Sequence, residues 1–275
     1  MEKDAFTYSF KVSGLERKQV ASAITDALGG EVKYQGPPSF SYEASGWRID
    51  KAGIVTTPEI QKDSLRTVLD ALKETGATAE GDGAVTLSLQ GHTGNTLRNV
   101  VNLIWSKQNL LQRALGRQST IVPADLVNAI NAVPIDMVED FANVVNEAVD
   151  AGQIEGETDL DFDLADKTIS FSFSNASLEA DEVIAFANLC RQINEQAKQQ
   201  KFSSTKQREV ENEKYAMRCF LLKLGFVGDA FKAERKVLLA RLSGNAAFRT
   251  EEARQAAEEK RKGIVLTQAE GGENQ

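Results

Sequence analysis

The chain has 275 residues, 41% of them hydrophobic and 26% charged, and its formal net charge is −8. This length can bury one large hydrophobic core or two smaller ones. The single histidine, His92, excludes mechanisms that need a pair of histidines or a histidine-rich metal cage.

The sequence also lacks a membrane-spanning segment and a signal peptide, and it has only two cysteines. No apolar run is long enough for a membrane span, and the N-terminal stretch MEKDAFTYSF lacks the apolar segment of a signal peptide, so we expect a cytoplasmic protein. Cys190 and Cys219 lie in apolar helical patterns, where a free cysteine behaves as a small hydrophobic residue. We therefore expect no disulfide, no metal site and no cofactor.

Residues 1–78 are predicted to form a first α+β unit. Phe6–Val12 alternates between apolar and polar residues as a strand does, and Ser13 with Glu16 forms a capping-box pattern that opens a helix. Polar turns then divide residues 32–56 into four short strands, an antiparallel meander. A second helix closes the unit.

Residues 84–200 are predicted to form a second unit with the same order of elements. The glycine-rich stretch GATAEGDG predicts a flexible connection to a strand over Val85–Gln90, which is followed by a long helix. An acidic helical insertion is predicted over residues 121–156, before two strands over Thr158–Leu164 and Thr168–Ser174 and a further helix. The class is therefore α+β, with antiparallel sheets and helices in two βαββα-like units.

Residues 205–249 are predicted to form a basic helical hairpin. Apolar residues recur at helical spacing until Gly225, a residue typical of a helix C-terminus, and Phe226 is expected to fold back against that end. Asp229 is a candidate N-cap for the second helix, which Gly244 stops. The tail, residues 250–275, is expected to be frayed helix or disordered.

Charge is segregated along the chain. Residues 198–249 contain twelve Lys and Arg against five Asp and Glu, a net charge of +7, which leaves −15 for the rest of the chain. Either the hairpin has a solvated basic face, or it binds nucleic acid or a protein partner. The candidate basic residues are Lys214, Arg218, Lys223, Lys232, Arg235, Lys236 and Arg241. Contact with phosphates is favoured over reading of base edges, because the second helix opens with Asp229, Ala230 and Phe231.

The opposite charge is concentrated in residues 121–170, with twelve carboxylates and one lysine. Asp159, Asp161 and Asp163 resemble the opening ligands of a calcium loop, but the glycine and the closing glutamate are missing, and alternation along a strand explains the triplet better. Two interpretations stay open: a solvated acidic face, and a surface that imitates nucleic-acid phosphate and occupies a basic groove on a partner. The candidate acidic residues are Glu155, Glu157, Asp159, Asp161 and Asp163.

No constellation of residues predicts catalysis. His92 lies in QGHTGN, between a strand and a helix, where no second catalytic group is near it in sequence. The chain contains no Walker loop, dinucleotide fingerprint, zinc knuckle or nucleophile elbow. We predict no catalytic residues and a protein that is not an enzyme.

The segment VENEKYAMRCFLLKLGFVGDAFKAERKVLLARLSGNAAFR resembles a poorly characterised, virulence-related family carried on conjugative and phage-like elements of Firmicutes. GLERKQVASAI, YQGPPSFSYE and WRIDKAGIVTTP extend the resemblance over nearly the whole chain. It implies a bacterial mobile element, a setting in which small acidic proteins counter host defence, anti-CRISPR inhibitors among them. The family supplies no catalytic residues to transfer.

Two functional hypotheses follow. The first is a non-enzymatic inhibitor that binds a host defence nucleoprotein such as Cas9 with its guide RNA, using the acidic insertion against a positively charged channel. The second is a nucleic-acid-binding accessory protein of element transfer or replication, which uses the basic hairpin directly and predicts binding that weakens steeply with salt.

Overall fold

The computed structural model describes residues 6–59, 62–155 and 157–250, together with residues 252, 255, 256 and 259. These residues form an α+β protein with eight α-helices and one eight-stranded antiparallel sheet, which confirms the predicted fold class. The predicted frayed tail lies outside the described residues, except for its first residue and four others.

The elements follow one another in the chain with short connections. The strands are β1 (Thr7–Ser13), β2 (Val32–Tyr34), β3 (Tyr42–Ala44), β4 (Trp47–Ile49), β5 (Ile54–Thr56), β6 (Thr78–Ser88), β7 (Leu160–Asp163) and β8 (Thr168–Asn175). The helices are α1 (Arg17–Leu28), α2 (Lys62–Glu74), α3 (Gly94–Leu115), α4 (Ala124–Ala132), α5 (Val138–Asp150), α6 (Ala180–Gln199), α7 (Glu213–Lys223) and α8 (Lys232–Ala240). A single 3-10 turn, Asp229–Phe231, leads into α8.

The strands of both halves of the chain lie in one sheet, in the order β2-β3-β4-β5-β1-β6-β8-β7. The N-terminal strand β1 is central, since it pairs with β5 on one side and with β6 on the other. Strand β6 in turn pairs with β8, and β7 forms the outer edge. The two halves are therefore joined by backbone hydrogen bonds across the middle of the sheet.

Strand β6 corrects one sequence prediction. The stretch expected to be a flexible connection, residues 76–83, mostly belongs to this strand, where Ala79 and Glu80 pair with β1 and Gly83 pairs with β8. Its glycine and charged composition is typical of a loop, but pairing on both edges holds it extended. Gly83 is required because the Tyr8 ring occupies the space that a Cβ atom would need.

One face of the sheet is buried and the other is polar. Tyr8, Phe10 and their neighbours on adjacent strands point toward the helices, and they belong to one hydrophobic core that also includes residues of α7 and α8. On the other face, hydroxyl groups bond across strands, as between Thr86 and Ser170 at 2.8 Å. This arrangement is typical of an antiparallel sheet with helices on one side.

Local helix signals were partly confirmed. Gly225 has a φ of 96° just after α7, as predicted for a glycine that ends a helix, and Thr93 caps α3 through its hydroxyl. The predicted capping box at Ser13 is wrong, because β1 extends through Ser13 and Glu16 caps α1 instead. Asp229 is not an N-cap either: it is the first residue of the 3-10 turn, and its side chain makes no capping bond.

Buried carboxylates fasten the α7–α8 hairpin to the helical layer. Glu234 on α8 is buried, and its Oε1 accepts bonds from Lys62 Nζ and from Asn188 Nδ2, each at 2.9 Å. Arg241 adds an exposed ion pair with Glu182 on α6 at 3.0 Å. Among the described helices, none is long and apolar enough to cross a lipid bilayer.

Candidate functional site

A wide groove of about 830 Å³ opens in the helical layer. One wall is α3, another is α7, and the extended connection between α6 and α7, residues 200–212, runs along it. We call residues 200–212 the connecting segment. Arg249, after α8, lies at the groove as well.

Amide side chains of α3 hold the connecting segment in place. Asn99 donates to the carbonyl oxygen of Gln200 at 2.8 Å, and Asn102 donates to that of Ser203 at 3.4 Å. Both asparagines are buried, so these bonds are shielded from competing water. The segment has no regular structure, but its first residues are fixed to α3.

The N-terminal end of α7 is fixed by the chain that follows α8. Asn212 caps the helix by accepting from the Tyr215 backbone N–H at 3.1 Å, and its amide donates to the Phe248 carbonyl at 2.6 Å. Glu213 is buried; it pairs with Arg113, and it accepts from both the backbone N–H and the hydroxyl of Ser243 at 2.9 Å. These contacts bring residues 243–250 against α7.

The groove is lined by more positive than negative charge. Two carboxylates, Glu209 and Glu211, line it together with five cationic side chains. The five cations are Lys107, Lys206, Arg208, Lys223 and Arg249. Within the described part of the chain, no carboxylate is in ion-pair contact with any of these five.

Three of these cations repel one another. Burial lowers the pKa of Lys107, and the positive charges of Arg208 and Lys223 lower it further. Lys107 comes from α3, Arg208 from the connecting segment and Lys223 from α7, so tertiary folding brings the three charges together. A bound anion would relieve the repulsion that Lys107 receives from Arg208 and Lys223.

The structure divides the predicted basic residues into three groups. Lys223 lies in the groove, whereas Arg235 and Arg241 are engaged in structural contacts. Arg235 donates to the carbonyl oxygens of Phe226 and Gly228, each at 2.9 Å.

The remaining four of the predicted basic residues are half-buried or exposed and lie outside the groove: Lys214, Arg218, Lys232 and Lys236. Lys107 was missed because it lies in α3, far from the basic region in sequence.

The predicted acidic residues are also divided. Asp159 bonds to Arg117 at 2.7 Å, Arg117 also pairs with Asp82, and Asp163 accepts from the Asp166 backbone N–H at 2.9 Å. Burial raises the pKa of Asp159, although the charge of Arg117 opposes this. The other three, Glu155, Glu157 and Asp161, are exposed.

His92 is nearly buried and fully hydrogen-bonded. Its Nε2 lies 2.8 Å from Asn194 Oδ1 and its Nδ1 lies 2.9 Å from Thr96 Oγ1, so a neutral ring with its proton on Nε2 fits both partners. The pKa of His92 is lowered to about 4, chiefly by burial and also by the charge of Lys198, against the bond to Asn194, which raises it. Among the described residues, no group of three or more His, Cys, Asp or Glu side chains could hold a metal ion.

We expect His92 to make the protein sensitive to acid. Because its pKa is about 4 in the folded chain and about 6.5 when exposed, the unfolded chain alone takes up a proton between these values. Stability should be full above pH 6.5 and should fall by roughly 3 kcal/mol as the pH approaches 4. Urea unfolding at several pH values, for the protein and for His92→Gln, measures this contribution.

The quantity to compare is the loss of stability between pH 6.5 and pH 4 in the parent protein and in His92→Gln. His92→Gln will be less stable at neutral pH because it loses packing, but its loss of stability between pH 6.5 and 4 should be smaller. An equal pH dependence in both proteins would show that His92 is not the titrating group.

No protein-family model matches the chain, and no curated protein matches it. The resemblance to the virulence-related family of mobile elements therefore stays a prediction. Function has to be argued from the groove and from the acidic surface.

Proposed function

We propose that the chain is a non-enzymatic nucleic-acid-binding protein that holds a phosphate backbone in the groove. The observation that carries this proposal is that Lys107, Arg208 and Lys223, three cations from three elements, line one groove, where no carboxylate of the described residues pairs with them. Lys206 and Arg249 extend the positive charge along the same groove. A polyanion supplies the missing counter-charge at several points at once.

The negative net charge of −8 does not oppose this binding strongly. At physiological ionic strength, charges separated by more than about 8 Å are largely screened, so the acidic surface acts weakly on a strand in the groove. Contacts between phosphate oxygens and groove cations are direct and charge-assisted, and they decide the affinity. The resemblance to a mobile-element family agrees with an accessory role in element transfer or replication.

A salt titration tests the proposal. Five phosphate contacts to a single strand predict that log K falls with log salt at a slope of roughly −3.5. Fluorescence anisotropy of a labelled oligonucleotide, measured over a range of salt concentrations, gives this slope. The absence of binding to naked DNA and RNA at low salt would overturn the proposal.

A second candidate function rests on the acidic side of the molecule. Helix α5 and the turn before it expose Met137 and Val149, 63% and 53% accessible, among the carboxylates of Glu139, Glu147 and Asp150. Apolar side chains among carboxylates suit a basic partner surface that also has apolar pockets. This surface supports the hypothesis of an inhibitor that occupies the positively charged channel of a Cas9-type nucleoprotein.

A DNA-cleavage assay with a guide-loaded Cas9-type nuclease tests the second candidate. We expect the protein to slow cleavage, and we expect the variant with Glu139→Gln, Glu147→Gln and Asp150→Asn to lose most of this inhibition. Asp159 is left unchanged because its replacement would leave Arg117 without one of its partners. Equal inhibition by the variant, or none by the protein itself, would contradict this candidate.

A further inference from the structure

An exposed aromatic ring stands at the groove. Phe202, in the connecting segment, lines the groove and is 72% accessible to solvent. Among the described residues it is the most exposed of the large hydrophobic side chains. Singly exposed apolar side chains are common on protein surfaces, so the ring is informative only because it lies in the same groove as the cations.

The backbone on both sides of Phe202 is held in place. Asn95 donates to the Lys201 carbonyl at 3.1 Å, and Asn102 donates to the Ser203 carbonyl at 3.4 Å. Ser203 is itself buried, and its hydroxyl donates to Gln200 Oε1 at 3.1 Å. The ring is therefore presented to solvent from a fixed backbone, which lowers the entropy cost of stacking a ligand on it.

Ring and cations together favour one form of nucleic acid. A single strand can place its phosphates against the cations and turn an unstacked base onto an aromatic ring. In a duplex the base faces are stacked on one another and are not accessible to Phe202, so only the phosphates can bind. A second ring, Tyr215, lines the same groove and is half-buried.

We infer that the groove binds single-stranded DNA or RNA in preference to duplex, with Phe202 as a stacking platform for a base. This inference rests on the proposed nucleic-acid binding and adds the form of the ligand. The phosphate contacts supply the salt dependence, and the ring supplies the preference for single strands. Stacking on a ring tolerates any base, so little sequence preference is expected.

The test compares Phe202→Ala with the parent protein on three ligands. The ligands are a single-stranded oligonucleotide, the duplex of the same sequence, and an oligomer of abasic nucleotides that keeps the phosphates. Phe202→Ala should weaken single-strand binding by roughly 5- to 150-fold, the effect of losing one stacked base. The salt slope should not change, because the cations remain, whereas Phe202→Trp should preserve the affinity.

The control ligands and a control variant separate the possible outcomes. We expect the parent protein to bind the abasic oligomer and the duplex about as weakly as Phe202→Ala binds the normal strand. Tyr34→Ala, which removes a 54% accessible aromatic ring from the edge strand β2 and not from the groove lining, should bind as the parent does. Salt-dependent binding that is equal for all three ligands, or unaffected by Phe202→Ala, would overturn the inference and leave the proposed function standing. No binding to any of them would overturn both.

Discussion

The variant with Arg208→Glu and Lys223→Glu should bind nucleic acid roughly 100-fold more weakly than the parent protein, since two charge-assisted contacts are lost and replaced by repulsion. Both side chains are exposed and line the groove, so their replacement leaves the core intact. If five phosphates contact the groove, the loss of two should also reduce the salt slope from roughly −3.5 to roughly −2.1. Anisotropy titrations at several salt concentrations measure both quantities.

The α8 helix offers a matched control. Lys232 and Lys236 are exposed and lie outside the groove, so their replacement by glutamate changes the net charge by the same amount. We expect this control variant to lose little affinity, because charges outside the contact are screened. A similar loss in both variants would show that the whole basic hairpin, and not the groove, attracts the ligand. Thermal unfolding of both variants checks that each is folded.

Lys107 is a less suitable position for this test. Its side chain is half-buried between like charges, so a neutral replacement such as Lys107→Met removes a repulsion from the free protein as well as a contact from the complex. The change in affinity caused by Lys107→Met would therefore combine two opposed effects, the lost repulsion and the lost contact. Arg208 and Lys223 are exposed, so their replacement does not also change a half-buried position.

Local sequence patterns predicted those elements whose residues themselves specify the structure. Strand β8 alternates Ile169, Phe171 and Phe173 with serines, and the structure buries those three side chains. Gly225 and Thr93 ended and began helices as their chemistry requires. For the helix ends the stabilising contact lies within a few residues along the chain, and for β8 the alternation itself shows which side chains face the core.

Elements fixed by distant partners were not predictable in this way. The first half of β6 reads as a loop because its pairing partners lie in β1 and β8, far away in sequence. The groove was missed for the same reason: Lys107 meets Arg208 and Lys223 only after α3 and α7 pack beside the connecting segment. The sequence places Asp159 in an acidic surface because nothing local shows that Arg117 lies against it.

Phe226→Ala should lower the free energy of unfolding by about 3–5 kcal/mol, the usual cost of removing a buried phenylalanine ring. The ring is fully buried after α7 and lies 4.9 Å from that of Phe231. Its backbone N–H bonds to the Leu221 carbonyl at 2.9 Å, so the ring also secures the end of the helix. Val227→Ala, at a 62% accessible neighbour, is the control and should change stability by less than about 0.5 kcal/mol.

The same variant shows whether the α7–α8 hairpin unfolds with the rest of the chain. Phe226 belongs to the hydrophobic core that also contains Trp47, a residue of the meander, so one cooperative transition is expected. In a Trp105→Phe background, Trp47 is the only tryptophan, and its fluorescence reports on the meander while circular dichroism reports on the helices. Phe226→Ala should move both denaturation midpoints together, because the hairpin and the meander share one core. Early loss of helical signal with Trp47 still buried would instead show that the hairpin opens as a unit of its own.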